Sequence, residues 1–372
     1  MNLSEIKTAL ASLVTAADVE LERRAARLTS LCNLFLEHYG DGPVSLLRAP
    51  ARMGVLGEHI DYVSYLPTAS LTFASRERDA WMLYRKSSEP VIRCVSSSAK
   101  FEPSSFSILS VPKFTADIEA EWLDFLFTHG TPEPHWQNYI NAAVTFARGK
   151  FGEQIQRGFD FALDSNIPPG GGASSSSALV VLGGAAIRNV NGVSWSPAEL
   201  AWDSALAEWF IGTRGGSMDH LTICLGAAAN AVLIDYATNE TRLAPLPDKP
   251  FEWVTFFTKP ADKGREIMIE YNERAAVSRL LIPAIIDHWQ LSAPARHNAW
   301  IETKRLLARG SLEAFETAQE LFAALPDTIS IETVRSDYPD TLAELESIEN
   351  QVLLSLAVRI GKTRLIDNFL LP

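Results

Sequence analysis

FDFALDSNIPPGGGASSSS, residues 159–177, is the stretch that decides the fold of this chain. Its first residues predict a strand, the prolines and glycines predict a loop, and the serines predict the start of a helix over 175–190. Three glycines let the backbone approach an anion closely. The first N–H groups of a helix lack intrahelical partners and favour a phosphate. A flexible Gly/Ser loop with serine N-caps is the alternative interpretation.

Strands and helices alternate on both sides of this loop. The residue spacing predicts helices over 3–38, 136–150, 197–211, 262–280 and 312–325, and strands at 227–235, 253–258 and within 67–110. No internal repeat or low-complexity linker interrupts them. The interleaving predicts an α/β or α+β fold, and a length of 372 residues predicts two domains or lobes.

Composition narrows the functional classes. A formal net charge of −12 argues against a general nucleic-acid partner, which usually meets a basic face. No run approaches the ~20 apolar residues of a membrane span. The three cysteines are far apart and show no C-x-x-C spacing, so a disulfide framework or zinc site is not expected. These features predict a reduced cytoplasmic location without a nucleic-acid or membrane partner.

The segment GEHIDY, residues 57–62, concentrates hydrogen-bonding side chains after a loop of small residues. Sugar hydroxyls need such converging donors and acceptors, because each buried hydroxyl left unpaired costs ~1–3 kcal/mol. Glu58, His59 and Asp61 are therefore candidate sugar-binding residues. A metal cluster and a solvated turn are equally consistent with this segment alone.

A second polar segment is GGSMDH, residues 215–220, where Asp219 follows a Gly-Gly turn. Phosphoryl transfer to a hydroxyl needs an acceptor for its proton and positive charge near the transferred group. Asp219 is the candidate for the first role, with Arg52 and Mg²⁺ for the second. A helix N-cap is the alternative for Asp219, and a surface ion pair is the alternative for Arg52.

Taken together, these segments resemble the galactokinase branch of the GHMP kinase superfamily. APARMGVLGEHIDY at 49–62 is similar to the family's A-P-G-R-V-N-L-I-G-E-H-T-D-Y, and residues 168–177 are similar to P-L-G-G-G-L-S-S-S-A. WQNY at 136–139 matches W-x-N-Y, and YNER at 271–274 matches Y-x-x-R. GSMDH at 216–220 resembles G-x-M-D-Q and precedes an L-I-D strand. The matches occur in the family's order.

The resemblance implies a two-lobed, α+β GHMP-kinase-like fold with the active site in the cleft between the lobes. We expect an N-terminal nucleotide- and sugar-binding domain over 1–224 and a C-terminal domain over 225–372. The implied reaction transfers the γ-phosphoryl group of ATP to the anomeric hydroxyl of a monosaccharide, with galactose as the first expectation.

The resemblance also assigns roles to residues. Asp219 becomes the catalytic base or the group that orients the sugar 1-hydroxyl, and Arg52 stabilises its ionised form. Glu58, His59, Asp61, Gly216 and Tyr271 are the expected sugar-binding residues. The nucleotide phosphates are expected on Gly170, Gly171, Gly172, Ser174, Ser175 and Ser176, and Mg²⁺ is expected on Ser176 and Glu208.

The sequence departs from the family pattern at several positions. Ala51 and Gly54 replace a glycine and an asparagine, and His220 replaces a glutamine. Nothing after residue 310 resembles the family's third motif, G-G-G-F-G-G-C. A kinase for arabinose or N-acetylgalactosamine, and a sugar- and ATP-binding regulator without catalysis, therefore stay open. A mevalonate or homoserine kinase is a weaker alternative, and the oligomeric state is not predicted.

Overall fold

The computed structural model of this chain describes residues 5–6, 19–246, 265–288, 290–292, 295–296, 352–360 and 363–371. Its helices are α1 Val19–Tyr39, α2 Ile118–His129, α3 Asn138–Phe151, α4 Ser175–Asn191, α5 Pro197–Ala207, α6 Met218–Leu225, α7 Arg265–Ala276 and α8 Ile282–His288. Its strands are β1 Ser45–Leu56, β2 Ala69–Lys86, β3 Val91–Ser96, β4 Ser104–Ser107, β5 Phe159–Ser165, β6 Asn230–Asp235, β7 Glu240–Pro245, β8 Val352–Ile360 and β9 Thr363–Leu371. The mixture of helices and a mixed sheet confirms the predicted α+β class.

The main sheet has the strand order β4-β3-β5-β2-β6-β7, and β1 pairs with β2 at its side. Strand β5 runs antiparallel to β2, with Met82 opposite Leu163, and parallel to β3, with Cys94 opposite Phe161. Strands β8 and β9 form a separate antiparallel hairpin. Since β5 leads directly into the glycine-rich loop, its central place in the sheet fixes where that loop begins.

Contacts divide the chain into two compact units made of interleaved segments. The first unit contains residues 1–53, 73–232 and 243–268, and the second contains 54–72, 233–242 and 269–372. The predicted domain boundary after residue 224 stays a prediction.

The core of the first unit holds α3 and α4 against the sheet. Phe159 and Phe161 of β5 are fully buried beside Val144 of α3 and Ile187 of α4. Removing apolar surface from water stabilises such a cluster by about 25 cal/mol per Å². Because α4 is buried along most of its length, the position of its N-terminus is fixed by packing.

A buried ion cluster links α3, α4 and α5. The Arg188 guanidinium pairs with Asp203, and Lys150 Nζ lies 2.7 Å from the same carboxylate and 3.0 Å from Glu199. Burial raises the pKa of Asp203 in spite of these two cations, and burial lowers the pKa of Arg188. Removing any one of these charged groups would leave another buried charge without compensation and destabilise the fold.

Most predicted elements are present, with shifted ends. Helix α5 stops at Ala207, and a 3₁₀ turn follows to Gly212, whose φ of +100° ends the helical run. The helix predicted over 262–280 is α7 followed by a π turn. The strand expected at 253–258 and the helix at 312–325 lie outside the described residues. None of the described helices is long and apolar enough to span a membrane.

Candidate active site

The glycine-rich loop joins β5 to α4 through three residues with left-handed backbone. Gly170 and Gly172 have φ of +70° and +71°, and Ser174 has φ of +61°. A Cβ on Gly172 would meet no atom within 4 Å, so space is open beside the loop. The backbone N–H of Ala178 donates to the Ser174 carbonyl at 3.1 Å, which closes the first turn of α4. The N–H groups before it have no intrahelical carbonyl to bond, so this end of α4 suits an anion.

Arg52 and Asp219 form an ion pair inside the first unit. Arg52 Nε donates to Asp219 Oδ1 at 2.7 Å, and the two side chains are 10% and 25% exposed. The Arg52 backbone N–H donates to the Ala173 carbonyl at 3.3 Å, which ties β1 to the glycine-rich loop. Arg52 is therefore a buried cation beside that loop, and the surface ion pair considered from sequence does not describe it.

Asp219 is the second residue of α6, and Ser217 occupies the N-cap position. Burial raises the pKa of Asp219, but Arg52, the Ser174 hydroxyl and His220 outweigh it, and the pKa lies below the usual value. Asp219 is consequently ionised at neutral pH. The helix N-cap considered from sequence is not its role.

A second carboxylate lies beside this pair. Ser177 Oγ donates to Glu208 Oε2 at 2.8 Å and lies 3.4 Å from Asp219 Oδ2. His220 Nε2 lies 2.8 Å from the same Glu208 Oε2. Burial raises the pKa of Glu208, but His220 and Ser177 outweigh it and lower the pKa, with Asp219 opposing them. Two ionised carboxylates thus meet at one serine.

These oxygens fit a hard divalent cation. Mg²⁺ takes oxygen ligands and is usually held by one or two carboxylates together with substrate phosphates. Within the residues that the structure describes, no group of three or more His, Cys, Asp or Glu side chains forms a complete metal site. Ser177 and Glu208 supply two oxygens that could ligate such an ion. Ser176 is half-buried and makes no side-chain hydrogen bond to any described residue, and its role at Mg²⁺ stays a prediction.

The GEHIDY segment lies in the second unit, where glycine is required at its first position. Gly57 has φ of +82°, and a Cβ there would lie 2.4 Å from the Ala69 carbonyl oxygen. Ser70 Oγ donates to the Gly57 carbonyl at 2.7 Å, and the Tyr236 hydroxyl donates to Ser70 Oγ at 2.9 Å. Both hydroxyl groups belong to buried residues, so this chain of bonds fixes the turn.

The same unit brings His59 and Tyr271 together. Their rings meet edge to face with centroids 6.2 Å apart, and His59 has φ of +60°. The Arg279 guanidinium lies 5.8 Å from the ring centre of Tyr62, whose pKa is raised chiefly by burial. Two of the predicted sugar-binding residues, which are far apart in the chain, are thus neighbours in the structure.

The other predicted sugar-binding residues are half-buried: Glu58 and Asp61 in the second unit and Gly216 in the first. The carbonyl of the neighbouring Gly215 accepts a hydrogen bond from Trp209 Nε1 at 3.0 Å, which holds the turn before α6.

Sequence patterns do not identify Ser177 or the contact of His220 with Glu208. A signal for Ser177 exists, since it is the last serine before the apolar run of α4 and lies on the buried side of that helix. Ser175 and Ser176 precede it and are half-buried. His220 stands out in the sequence only as a departure from the family's glutamine.

Comparisons with known families match two parts of this chain. Residues 33–69 match the galactokinase galactose-binding signature, and residues 138–227 match the GHMP kinases N terminal domain. The first match contains β1 with Arg52 and the GEHIDY segment. The second contains the glycine-rich loop, Glu208 and Asp219.

Curated relatives with a similar sequence are named galactokinases. A galactokinase from Chloroflexus aurantiacus is 29% identical over 269 residues, which is 69% of this chain and 60% of that protein. A galactokinase from Dictyostelium discoideum is 28% identical over 242 residues, covering 63% of this chain and 45% of that protein. The chain thus spans about half of the length of the curated relatives that it matches.

Among solved structures, Lactococcus lactis galactokinase complexed with galactose matches with a TM-score of 0.53 and 21% identity. The match covers 69% of this chain and 61% of that one. At this identity the likeness shows the fold, which is the GHMP kinase fold. Both family matches, the relatives named galactokinase and the ordered motifs make this chain similar to the galactokinase branch of the GHMP kinase superfamily.

Proposed function

We propose that this chain is an ATP-dependent sugar kinase that phosphorylates the anomeric hydroxyl of galactose. The observation that carries the proposal is the buried Arg52–Asp219 pair beside the glycine-rich loop. Galactose is favoured over other sugars by the galactose-binding signature at residues 33–69 and by the relatives named galactokinase.

Asp219 acts on the acceptor hydroxyl in this proposal. Because its pKa is lowered, the ionised carboxylate is a weak base, and it is better suited to accept a hydrogen bond from the hydroxyl than to remove its proton early. The proton then passes to Asp219 as the phosphoryl group arrives, which suits a loose transition state. Arg52 keeps the carboxylate ionised and adds positive charge near the transferred group.

The nucleotide phosphates lie at the glycine-rich loop in this proposal, with Gly170, Gly171 and Gly172 allowing close approach of the backbone. Ser174, Ser175 and Ser176 begin the turn whose N–H groups face the anion. Ser177 and Glu208 are the residues that would hold Mg²⁺, alongside the sequence-based candidate Ser176. When bound, the ion neutralises charge on the β- and γ-phosphate oxygens.

Glu58, His59, Asp61, Gly216 and Tyr271 are proposed to bind the sugar hydroxyls. The edge-to-face contact of His59 with Tyr271 supports this, because it orders an imidazole and a phenol on one side of the GEHIDY turn. A cytoplasmic location and the lack of a nucleic-acid partner also stay predictions.

The test is an ADP-release assay with ATP, Mg²⁺ and a panel of galactose, arabinose, N-acetylgalactosamine, mevalonate and homoserine. We expect galactose to give the fastest turnover. Asp219→Asn should lower kcat by at least about 100-fold while galactose affinity changes less than about tenfold, or ~1.4 kcal/mol. Asp124→Asn, an exposed carboxylate on α2, is the matched control and should keep full activity.

Three outcomes would overturn the proposal. Binding of galactose and ATP without ADP release above the sugar-free blank indicates a regulator without catalysis. Faster turnover of mevalonate or homoserine than of any sugar indicates a different kinase of the superfamily. Full activity of Asp219→Asn removes that residue from the chemistry.

A further inference from the structure

Glu208 has an asymmetric set of contacts. Its Oε2 atom receives both the Ser177 hydroxyl and the close contact from His220 Nε2, each at 2.8 Å. Its Oε1 atom has no hydrogen-bond partner among the residues that the structure describes. A carboxylate held at one oxygen presents the other in a fixed direction.

We propose that His220 is a positioning residue that, together with Ser177, holds Oε2 of Glu208 so that Oε1 faces the divalent cation of the bound nucleotide. This inference rests on the proposed kinase function. Ligating carboxylates elsewhere are commonly hydrogen-bonded by residues that do not touch the metal, and these residues tune its affinity.

His220 is rigid enough for this role. Its side chain is 2% exposed, and it is the third residue of α6, whose first turn is closed by the Leu221 N–H donating to the Ser217 carbonyl at 2.9 Å. Glu208 opens the 3₁₀ turn at the other end of the connecting loop. That loop is held by Trp209 Nε1 on the Gly215 carbonyl at 3.0 Å. Neither partner can move far from the other.

Glu208 needs a partner such as His220 because a second carboxylate, that of Asp219, lies close to it. The Asp219 carboxylate lies across Ser177 from Glu208, because Ser177 Oγ is 2.8 Å from Glu208 Oε2 and 3.4 Å from Asp219 Oδ2. Arg52 pairs with Asp219, with Nε 2.7 Å from Oδ1. Without His220, Glu208 would face a neighbouring negative charge with one hydroxyl donor alone, and its orientation would loosen.

The contact uses one end of the imidazole. Both ring nitrogens of His220 are buried and neither forms a hydrogen bond of regular geometry to a described residue, but Nε2 is the one that lies 2.8 Å from Glu208 Oε2. A glutamine side chain places an amide N–H near the position of Nε2, whereas an asparagine places one near Nδ1. His220→Gln should therefore keep the contact with Glu208, and His220→Asn should lose it with a similar polarity and volume.

The experiment measures Mn²⁺, as a paramagnetic probe for Mg²⁺, binding to the full chain with ADP by electron paramagnetic resonance. We expect His220→Asn to weaken Mn²⁺ binding by about 10- to 100-fold and His220→Gln by less than about threefold. Galactose affinity without metal, measured by calorimetry, should be the same in all three proteins. In a Glu208→Gln background, the two His220 variants should no longer differ from each other.

Several results would contradict this role. Equal Mn²⁺ affinities of the asparagine and glutamine variants would overturn it, as would a parallel loss of galactose affinity, which indicates a folding defect. If His220→Asn fails to fold, the glutamine variant still decides, since a Mn²⁺ affinity more than about tenfold below wild type refutes the positioning contact. A wild-type chain that binds no Mn²⁺–ADP overturns both this inference and the kinase proposal, whereas wild-type binding with unaffected variants overturns this inference alone.

Discussion

Replacing Arg52 with methionine removes the cation from Asp219 while keeping a side chain of similar length. At the 2.7 Å separation of Nε and Oδ1, the Coulomb attraction is about 6 kcal/mol for an effective dielectric constant of 20. Desolvation of both groups offsets part of it. Because the Asp219 side chain is 25% exposed, the stability lost on removing Arg52 should lie near the lower end of the range known for buried ion pairs that lose one partner. We expect the free energy of unfolding to fall by about 3 kcal/mol.

A double-mutant cycle measures the pair itself. Urea unfolding at pH 7 of wild type, Arg52→Met, Asp219→Asn and the double variant should give a coupling energy of about 2 kcal/mol, since the double variant leaves no uncompensated charge. The pH dependence has a definite sign. The folded pKa of Asp219 lies below the unfolded value, so the stabilisation is complete above the unfolded pKa of about 4. It is lost as pH falls through the folded pKa.

The gap between wild type and Arg52→Met should be widest at neutral pH and should narrow as pH falls through the folded-state pKa of Asp219 in the variant, which is higher than in wild type because Arg52 no longer opposes burial. The exposed pair of Arg93 with Glu89 serves as the control, with a coupling energy under about 1 kcal/mol. A coupling energy below about 0.5 kcal/mol for Arg52 and Asp219 refutes the reasoning. A gap that widens as pH falls refutes the direction of the pKa shift.

Three further predictions concern the surroundings of the site. Asp203→Asn leaves Arg188 buried with reduced compensation and should lower the free energy of unfolding by about 3 kcal/mol in urea titrations; a loss under about 1 kcal/mol would contradict the buried pair. Gly57→Ala forces a Cβ into a carbonyl, so its melting temperature should fall well below that of Gly172→Ala, which has the same sign of φ but open space; equal melting temperatures would count against the clash. Tyr236→Phe removes one buried hydroxyl donor and should cost about 1 kcal/mol of unfolding free energy without changing ATP affinity, which calorimetry checks.

The sequence by itself determined the likeness to galactokinases, the α+β class and the position of the glycine-rich loop. These are local properties. Alternating side chains predict β5, three successive glycines predict left-handed backbone, and serines before an apolar run predict the start of α4. Each signal lies within a few residues of the element that it predicts, so no long-range contact is needed to detect it. Gly212 is a further local signal, since its φ of +100° ends the helical run at Ile211, where the sequence predicts its end.

Only the tertiary structure decided which polar side chains meet. Arg52 and Asp219 are 167 residues apart, and their pairing depends on the register of β1 beside the loop and on the packing of α6. The rotation of α4 about its axis turns Ser177, rather than Ser176, toward Glu208. The His220 contact likewise follows from how α6 packs after the 3₁₀ turn. Residue spacing reports backbone preference along a segment, whereas these contacts are fixed by the packing of segments far apart in the chain.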